Sequence, residues 1–135
     1  MSNVIFVCVK TPKGVEKVTI LKDEDEYETY DVKTQLETIN SECDGKIIVS
    51  FGHTIRRLNE LGIVSFFGLN LKDKFRDKYE LSENVKISRW DMCKKCGCEE
   101  EMKKYEDPSI TRTYDGFNTC MVYKLIYDTA LTVNN

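Results

Sequence analysis

The sequence predicts an α/β fold in a single domain, with a sheet built mainly from the first half of the chain and helices that cover it. Short β-branched runs alternate with helical patterns in the first half, and helical periodicity dominates the second half. The chain has 135 residues and no Gly/Ser/Pro-rich run that would indicate a linker, which favours one domain. Its composition, 41% hydrophobic and 32% charged, is typical of globular proteins.

The first quarter of the chain predicts a hairpin followed by an acidic segment. Residues 4–9, VIFVCV, are β-branched and aromatic, which is typical of a buried strand. A turn is predicted at residues 11–14, and residues 15–21 predict a second strand that pairs with the first. The acid-rich residues 22–31 are expected to form an exposed edge or loop.

Helices and strands alternate in the middle of the chain. Apolar residues from Val32 to Ile39 recur at helical spacing and predict a short amphipathic helix. Residues 46–51, KIIVSF, predict a third strand. A second helix is predicted from Ile55 to its C-cap at Gly62.

The next segment is apolar, and helices are predicted beyond it. Residues 63–69, IVSFFGL, predict a strand that is partly loop, with Phe66 and Phe67 expected in the core. Residues 71–81 predict a helix with fourfold spacing of apolar side chains. Ser88 is the expected N-cap of a helix that ends before Gly97, and a last helix is predicted over residues 114–131.

Half of the six cysteines lie close together, at Cys93, Cys96 and Cys98. A spacing of three places Cys93 and Cys96 on one helix face with Trp90, and free cysteine is often buried, so packing against the sheet is favoured. The alternatives are a thiol redox pair or a structural zinc site, which needs four ligands. The zinc ligands would be the three clustered cysteines with Cys120 or Cys43.

Charge and the N-terminal segment limit the classes of function. A net charge of −3 counts against a broad basic surface for nucleic acid, although a local groove with phosphate contacts from Lys10, Arg56 and Arg57 is possible. The apolar run before Lys10 is too short for a signal peptide or a membrane span, so a cytoplasmic location without membrane association is expected. The single histidine, His53, is expected to be a surface residue rather than a metal ligand.

Two C-terminal segments carry a resemblance to a known family. They are KISRWDMCKKCGCEEEMKKY at residues 86–105 and TRTYDGFNTCMVYKLIYDTAL at residues 111–131. Together they resemble the end of the DEDD superfamily of proofreading-type 3′–5′ exonucleases, whose fold is ribonuclease H-like. Residues 4–21 are similar to the family's first strand and hairpin, and residues 46–63 to its third strand and following helix. The resemblance implies a ribonuclease H-like mixed sheet flanked by helices.

The same resemblance implies that the catalytic motifs are degenerate. Cys8 and Lys10 stand where the family has its D-x-E pair, Thr54 at its second aspartate and Thr119 at its last, with Tyr114 in place of the general-base histidine. In the family, four carboxylates hold two divalent metal ions that stabilise the displacement at phosphorus. A lysine at a metal-binding position places a positive charge where two dications would sit.

The favoured hypothesis is therefore a non-catalytic exonuclease-fold protein without a cofactor, which binds a protein partner or the end of a nucleic acid. One alternative is an active 3′–5′ exonuclease that uses Mg²⁺ or Mn²⁺ with carboxylates displaced to Asp31, Asp44, Asp91 and Asp115. Another is a small zinc-stabilised interaction protein. The acidic segment 22–31 and residues 63–69 are the expected partner contacts.

Overall fold

The structure is a computed structural model that describes residues 3–23, 26–106 and 116–131. Within this part of the chain, a five-stranded mixed sheet has helices on both faces. The strands are β1 (Val4–Lys10), β2 (Lys17–Asp23), β3 (Glu26–Asp31), β4 (Ile47–Ser50) and β5 (Phe67–Asn70). The helices are α1 (Leu36–Cys43), α2 (Gly52–Glu60), α3 (Leu71–Tyr79), α4 (Arg89–Cys96), α5 (Glu99–Glu106) and α6 (Phe117–Ile126), which a π-helical turn (Tyr127–Leu131) extends.

The order of the strands across the sheet is β3-β2-β1-β4-β5. Strand β2 pairs antiparallel with both β1 and β3, whereas β4 pairs parallel with β1 and β5 pairs parallel with β4. Only β2 therefore runs against the direction of the other four strands. This arrangement confirms the predicted single-domain α/β fold with a mixed sheet flanked by helices, and it is compatible with a ribonuclease H-like fold.

Successive side chains of the central strand β1 point to opposite faces of the sheet, and the core therefore has two layers. Ile5 and Val7 pack on one face with helices α1 and α2, through Ile39 and Leu58. Phe6 and Cys8 project from the opposite face, where helices α3 to α6 pack. The residues of this second layer include Leu71, Phe75, Met92, Cys93, Met102, Cys120 and Tyr123. Cys8 and Lys10, two residues apart, consequently share the face that α6 covers.

Most element predictions are confirmed, with differences at element ends that have local causes. Helix α1 begins at Leu36 rather than Val32 because the Asp31 carboxylate accepts hydrogen bonds from the backbone N–H groups of Lys33 and Thr34, at 2.8 and 3.2 Å, and holds a turn there. The acidic segment contains the edge strand β3. Helix α5 was not predicted, since its sequence is almost entirely charged.

Two predictions about core packing are wrong. Trp90 was expected to pack beside Cys93, but it is 37% exposed, and the buried side chains of α4 are Met92 and Cys93. Phe67 was expected in the core and is 66% exposed, whereas Phe66 packs partly against the α1–α2 layer. In both cases, apolar residues that are close in sequence point to different sides of their element, and the sequence does not show which side faces the sheet.

None of the helices in the described part of the chain combines the length and the hydropathy that crossing a bilayer requires.

Candidate functional site

A cavity of about 280 Å³ opens at the carboxyl ends of the parallel strands β1 and β4. Ligands of open α/β sheets usually bind at this end of the strands. The described residues that line the cavity are Cys8, Val9, Lys10, Phe51, His53, Arg89, Thr119 and Tyr123. They come from β1, from the start of α2 and from helices α4 and α6, so the fold brings together segments that are distant in sequence.

The floor of the cavity is the end of β1. The Cys8 thiol donates a hydrogen bond of 3.5 Å to the carbonyl of Gly116. Burial raises the pKa of the neighbouring Cys120 thiol well above its usual range, contact with Cys8 adds to this rise, and the positive charge of Lys10 opposes it. The Lys10 ammonium therefore lies close enough to this thiol pair to influence it, although Lys10 is exposed.

Helix α6 reaches the sheet through Gly116. The Gly116 N–H donates to Thr19 Oγ1 at 2.8 Å, and Cys8 and Thr19 are cross-strand partners in the β1–β2 ladder. A Cβ atom at position 116 would lie 2.0 Å from Cys8 Sγ, which no real contact permits. This close approach places Thr119 and Tyr123, further along α6, at the wall of the cavity.

The wall opposite α6 begins where β4 passes into α2. His53 lines the cavity there, and its pKa is lowered by partial burial and by the positive charges of Lys72 and Arg56. Lys72 Nζ also lies 5.0 Å from the centre of the Phe51 ring, in a cation–π arrangement. Two further cations thus lie close to the cavity without being part of its lining.

Arg89 is held at the cavity by the start of helix α4. Ser88 caps this helix, because its side chain accepts from the Asp91 N–H at 3.1 Å and the Asp91 carboxylate accepts from the Ser88 N–H at 2.9 Å. Hydrogen bonds from the backbone N–H and the side chain of Ser88 lower the pKa of the Asp91 carboxyl group. The reciprocal cap fixes where α4 begins, and Arg89 is the first helical residue.

Tyr123 contributes a neutral hydroxyl group. Burial strongly raises its pKa, and the neighbouring Arg89 charge and a hydrogen bond with Ser50 only partly oppose this rise. The phenol therefore remains protonated at neutral pH, and it donates to Ser50, whose own hydroxyl donates to the Val7 carbonyl. With Lys10 and Arg89 charged, and no Asp or Glu among the described lining residues, the cavity is suited to bind an anion.

The structure brings together three of the degenerate-site residues named from the sequence, namely Cys8, Lys10 and Thr119. Thr54 lies apart from the lining: its side chain is fully buried, and its Oγ1 has no hydrogen-bond partner among the described residues. Tyr114 lies outside the described residues. The structure therefore brings residues from the end of β1 and from helix α6 to one cavity.

The two arginines proposed as phosphate contacts have different surroundings. Arg56 is exposed and close enough to His53 to lower its pKa. Arg57 binds both oxygens of the Glu16 carboxylate, at 2.7 and 2.8 Å, and also Glu60 at 3.2 Å. Arg57 is outside the cavity lining, so we leave it out of the candidate site.

The cysteines proposed as zinc ligands lie in different parts of the fold. Cys96 Sγ and Cys98 Sγ lie 3.3 Å apart, and Cys93 contacts Cys98. Cys120 lies on α6, where its thiol donates to the Thr19 carbonyl at 3.6 Å, and Cys43 belongs to the opposite core layer. Among the described residues, His, Cys, Asp and Glu form no group of three or more arranged to hold a metal ion. The zinc hypothesis stays a prediction.

The aspartates of the alternative nuclease hypothesis are dispersed in the described chain. Asp31 holds the turn after β3, Asp44 is the C-cap of α1, and Asp91 caps α4. Asp115 lies outside the described residues. Each described aspartate has a local structural role on a different element.

Sequence reasoning missed Arg89 and Tyr123, and it did not place His53 in the site. The only local signals were that His53 follows the end of a strand and that Arg89 follows an N-cap residue. Neither signal shows that the two side chains meet at one cavity. Tyr123 gives no signal, because it is one of several apolar residues in a helix with almost continuous burial.

A larger cavity of about 720 Å³ lies at the opposite end of the strands, near the start of β1. Its described lining carries charges of both signs. Two of its three lysines already form ion pairs, Lys22 with Glu42 at 2.8 Å and Lys124 with Asp128. The described lining of the smaller cavity contains no Asp or Glu, whereas that of the larger one does, so the smaller cavity is the better candidate for binding an anion.

Comparisons of this chain with models of protein families, with curated proteins and with solved structures found no match.

Proposed function

We propose that this chain is a non-catalytic exonuclease-fold protein that binds the end of a single-stranded nucleic acid in the cavity at the end of β1. One observation carries the proposal. Lys10, at a position that the resembled family gives to a metal-binding glutamate, lines a cavity with Arg89 and His53, and the described lining has no carboxylate. Such a cavity attracts phosphate and repels divalent cations.

The same residues support the absence of two-metal chemistry. A two-metal site needs oxygen ligands from carboxylates, and the corresponding positions hold a thiol at Cys8, an ammonium at Lys10 and a hydroxyl at Thr119. A Mg²⁺ ion placed there would meet the ammonium, and no carboxylate among the described lining residues would compensate for this charge. We expect nucleic acid to bind without divalent metal.

The size of the cavity favours the end of a single strand over a duplex as the ligand. A volume of about 280 Å³ corresponds to roughly nine water molecules in the liquid, which accommodates one terminal nucleotide in part. Phosphates further along the strand would then pass the exposed Arg56.

Fluorescence anisotropy with 5′-labelled single-stranded DNA and RNA, in EDTA and in Mn²⁺, tests the proposal. We expect binding in both buffers, intact oligonucleotides on a gel, and a loss of about tenfold in affinity for Lys10→Gln. Lys33→Gln, which removes one exposed charge outside the cavity, is the matched control. Cleavage that EDTA stops would instead support the active-exonuclease alternative, and a lack of binding would remove the proposed function.

A second candidate function is a protein contact at the edge strand β5. Val64 and Phe67 expose 64% and 66% of their surface beside this edge, and an uncovered edge strand can pair with a strand of another chain. If a second copy binds there, light scattering will show a mass that rises with concentration in the wild type and stays that of a monomer in Phe67→Lys. A monomer at all concentrations would exclude self-pairing.

A further inference from the structure

We infer that Cys96 and Cys98 are a modification site, at which a small-molecule disulfide such as oxidised glutathione converts the two thiols into a reversible disulfide bond. The C-x-x-C spacing would instead indicate a pair between Cys93 and Cys96. The structure favours the other pair, because Cys96 Sγ and Cys98 Sγ lie 3.3 Å apart. The site is at the junction of α4 and α5, and the inference does not depend on what binds in the cavity.

The turn at Gly97 brings the two cysteines together. In an extended strand, two residues span about 6.6–7.2 Å, which is at the upper limit of the Cα–Cα distances that a disulfide tolerates. Gly97 instead adopts a left-handed conformation with φ of 78° and ψ of 25°, which turns the chain between the two helices. The sulfurs need to approach by about 1.3 Å to form the bond, a change that small side-chain rotations supply.

The exposure of the clustered thiols sets the order of the reaction. Cys96 is partly exposed, whereas Cys98 is 3% exposed and Cys93 is fully buried. The Cys96 thiol lies against the Cys93 carbonyl at 3.8 Å and against the Cys98 thiol. An external reagent therefore reaches Cys96 first, and Cys98 is the thiol in place to react next.

Two thiol–disulfide exchanges complete the reaction. The Cys96 thiolate attacks one sulfur of oxidised glutathione, whose S–S bond breaks, and one glutathione leaves as a thiolate that takes up the proton lost by Cys96. The Cys98 thiolate then attacks the Cys96 sulfur, and the second glutathione leaves with the proton lost by Cys98. The two protein thiols lose two electrons and the glutathione disulfide gains them, so no other reactant is needed.

Burial acts differently on the rate and on the product. It raises the pKa of both thiols, so thiolates are rare at neutral pH and the reaction is slow. The disulfide carries no charge, so burial does not disfavour it as it disfavours a thiolate. The native fold also holds the Cys98 thiol beside the mixed disulfide on Cys96, which favours closure of the pair. We therefore expect a bond that forms slowly and is stable once formed.

The test brings the native chain to equilibrium in glutathione buffers of increasing oxidised-to-reduced ratio, with EDTA present. Acid stops the exchange, and N-ethylmaleimide then labels the remaining thiols of the unfolded chain. Trypsin separates Cys93, in residues 90–94, from Cys96 and Cys98, which share residues 96–103. We expect mass spectrometry to show residues 96–103 about 2 Da lighter and without label, and residues 90–94 labelled once.

The same experiment in urea shows what the fold contributes. Half-oxidation of residues 96–103 should need an oxidised-to-reduced ratio about tenfold lower in the native chain than in urea, because the fold holds the two sulfurs in contact. Equal ratios in the two conditions would overturn the inference. Thiols that stay reduced in the native chain at a ratio that oxidises them in urea would overturn it as well.

Cys93 is the competing partner, since it also contacts Cys98. A disulfide that links residues 90–94 to residues 96–103 would overturn the inference in favour of a pair with Cys93, and so would a glutathione adduct that persists on Cys96. Cys98→Ala should abolish the 2 Da loss expected for two oxidised thiols, whereas the matched variant Cys93→Ala should keep it. A thermal melt verifies that each variant folds, and the wild-type peptide masses decide the pairing if one does not.

Discussion

Single residues decide how closely helix α6 approaches the sheet, and Gly116 is the most constrained of them. Its backbone φ of −95° is accessible to any residue, so the requirement for glycine comes from space rather than from conformation. The Cys8 sulfur occupies the volume that a side chain would need, and Thr19 lies 3.0 Å from the same point. The cavity depends on this contact because α6 carries Thr119 and Tyr123.

We expect Gly116→Ala to lower the free energy of unfolding by about 1–3 kcal/mol, because the added methyl group overlaps the Cys8 sulfur. Chemical denaturation measures the change. In a Cys8→Ala background the same substitution should cost less, since the sulfur has been removed, although contact with Thr19 remains. An equal cost in both backgrounds would contradict the steric explanation.

We expect His53 to make binding of a phosphate stronger as the pH falls. In the free protein its pKa is lowered by burial, Lys72 and Arg56, so the imidazole is neutral at pH 7. A bound phosphate stabilises the imidazolium, so the complex holds more protons than the free protein and binding strengthens as the pH falls.

The test is the ratio of the wild-type affinity to that of His53→Gln for a single-stranded oligonucleotide. We expect this ratio to increase as the pH is lowered from 8 to 6, because only the wild type can take up a proton at position 53. Protonation of the phosphate affects both proteins equally and cancels in the ratio. A constant ratio would show that His53 does not face the bound anion.

The ends of individual helices determine where the side chains of the site lie, and α4 is the clearest example. Its first turn has a complete capping box, and its C-cap Gly97 adopts a left-handed conformation with φ of 78°. Both ends of this helix are thus specified locally. The cap at the start also determines where Arg89 projects.

Ser88→Ala should lower the free energy of unfolding by about 1 kcal/mol, because the Asp91 N–H loses its acceptor. It should also weaken binding of a single-stranded oligonucleotide, since Arg89 follows the cap directly. Denaturation and anisotropy measure the two effects. Ser41→Ala, on the exposed surface of α1, is the control and should change stability by less than about 0.5 kcal/mol. Unchanged binding in Ser88→Ala would show that the cap does not position Arg89.

The thiols of Cys96 and Cys98, at the junction between α4 and α5, are expected to be unreactive. Burial raises the pKa of Cys96 to about 12 and that of Cys98 to about 11, so both are almost entirely protonated at pH 8. Iodoacetamide should alkylate them about 100-fold more slowly in the native protein than in denaturant, as measured by mass spectrometry. One zinc ion per chain, released only after unfolding, would instead support the zinc hypothesis.

The whole molecule combines a net negative charge with a cavity whose described lining includes Lys10 and Arg89 but no Asp or Glu. The chain carries −3, and the acidic strand β3 lies at the edge of the sheet, separated from the cavity strands β1 and β4 by β2. Fields of opposite sign on the two sides would orient a strand so that it approaches the cavity. The net negative charge of the chain also limits non-specific binding of nucleic acid to the rest of the surface.

We expect a salt dependence that reflects few phosphate contacts. If Lys10, Arg89 and Arg56 each neutralise one phosphate, the logarithm of the binding constant should fall against the logarithm of salt concentration with a slope of about −2 for a single strand. Lys10→Gln should reduce this slope by about 0.7. A much steeper slope would indicate an extended binding surface outside the cavity.

The local sequence was sufficient for most of the elements. The hairpin of β1 and β2 followed from a β-branched run and a turn, and the start of α4 followed from Ser88, because caps and turns are set by residues a few positions apart. The packing of Trp90 and Phe67 could not be predicted in this way. Which side of a short element faces the sheet depends on partners far away in the chain.

The sequence by itself determined the α/β class and most of the elements, because periodicity and residue order are written along the chain. The mixed sheet was expected only from the family resemblance. Only the tertiary structure decided that Cys8, Lys10 and Thr119 meet at one cavity, that Arg89 joins them and that Arg57 is held by Glu16 instead. The physical reason is that a binding site is made by side chains from separate elements. Their meeting is set by the order of strands and the docking of α6, neither of which any local pattern encodes.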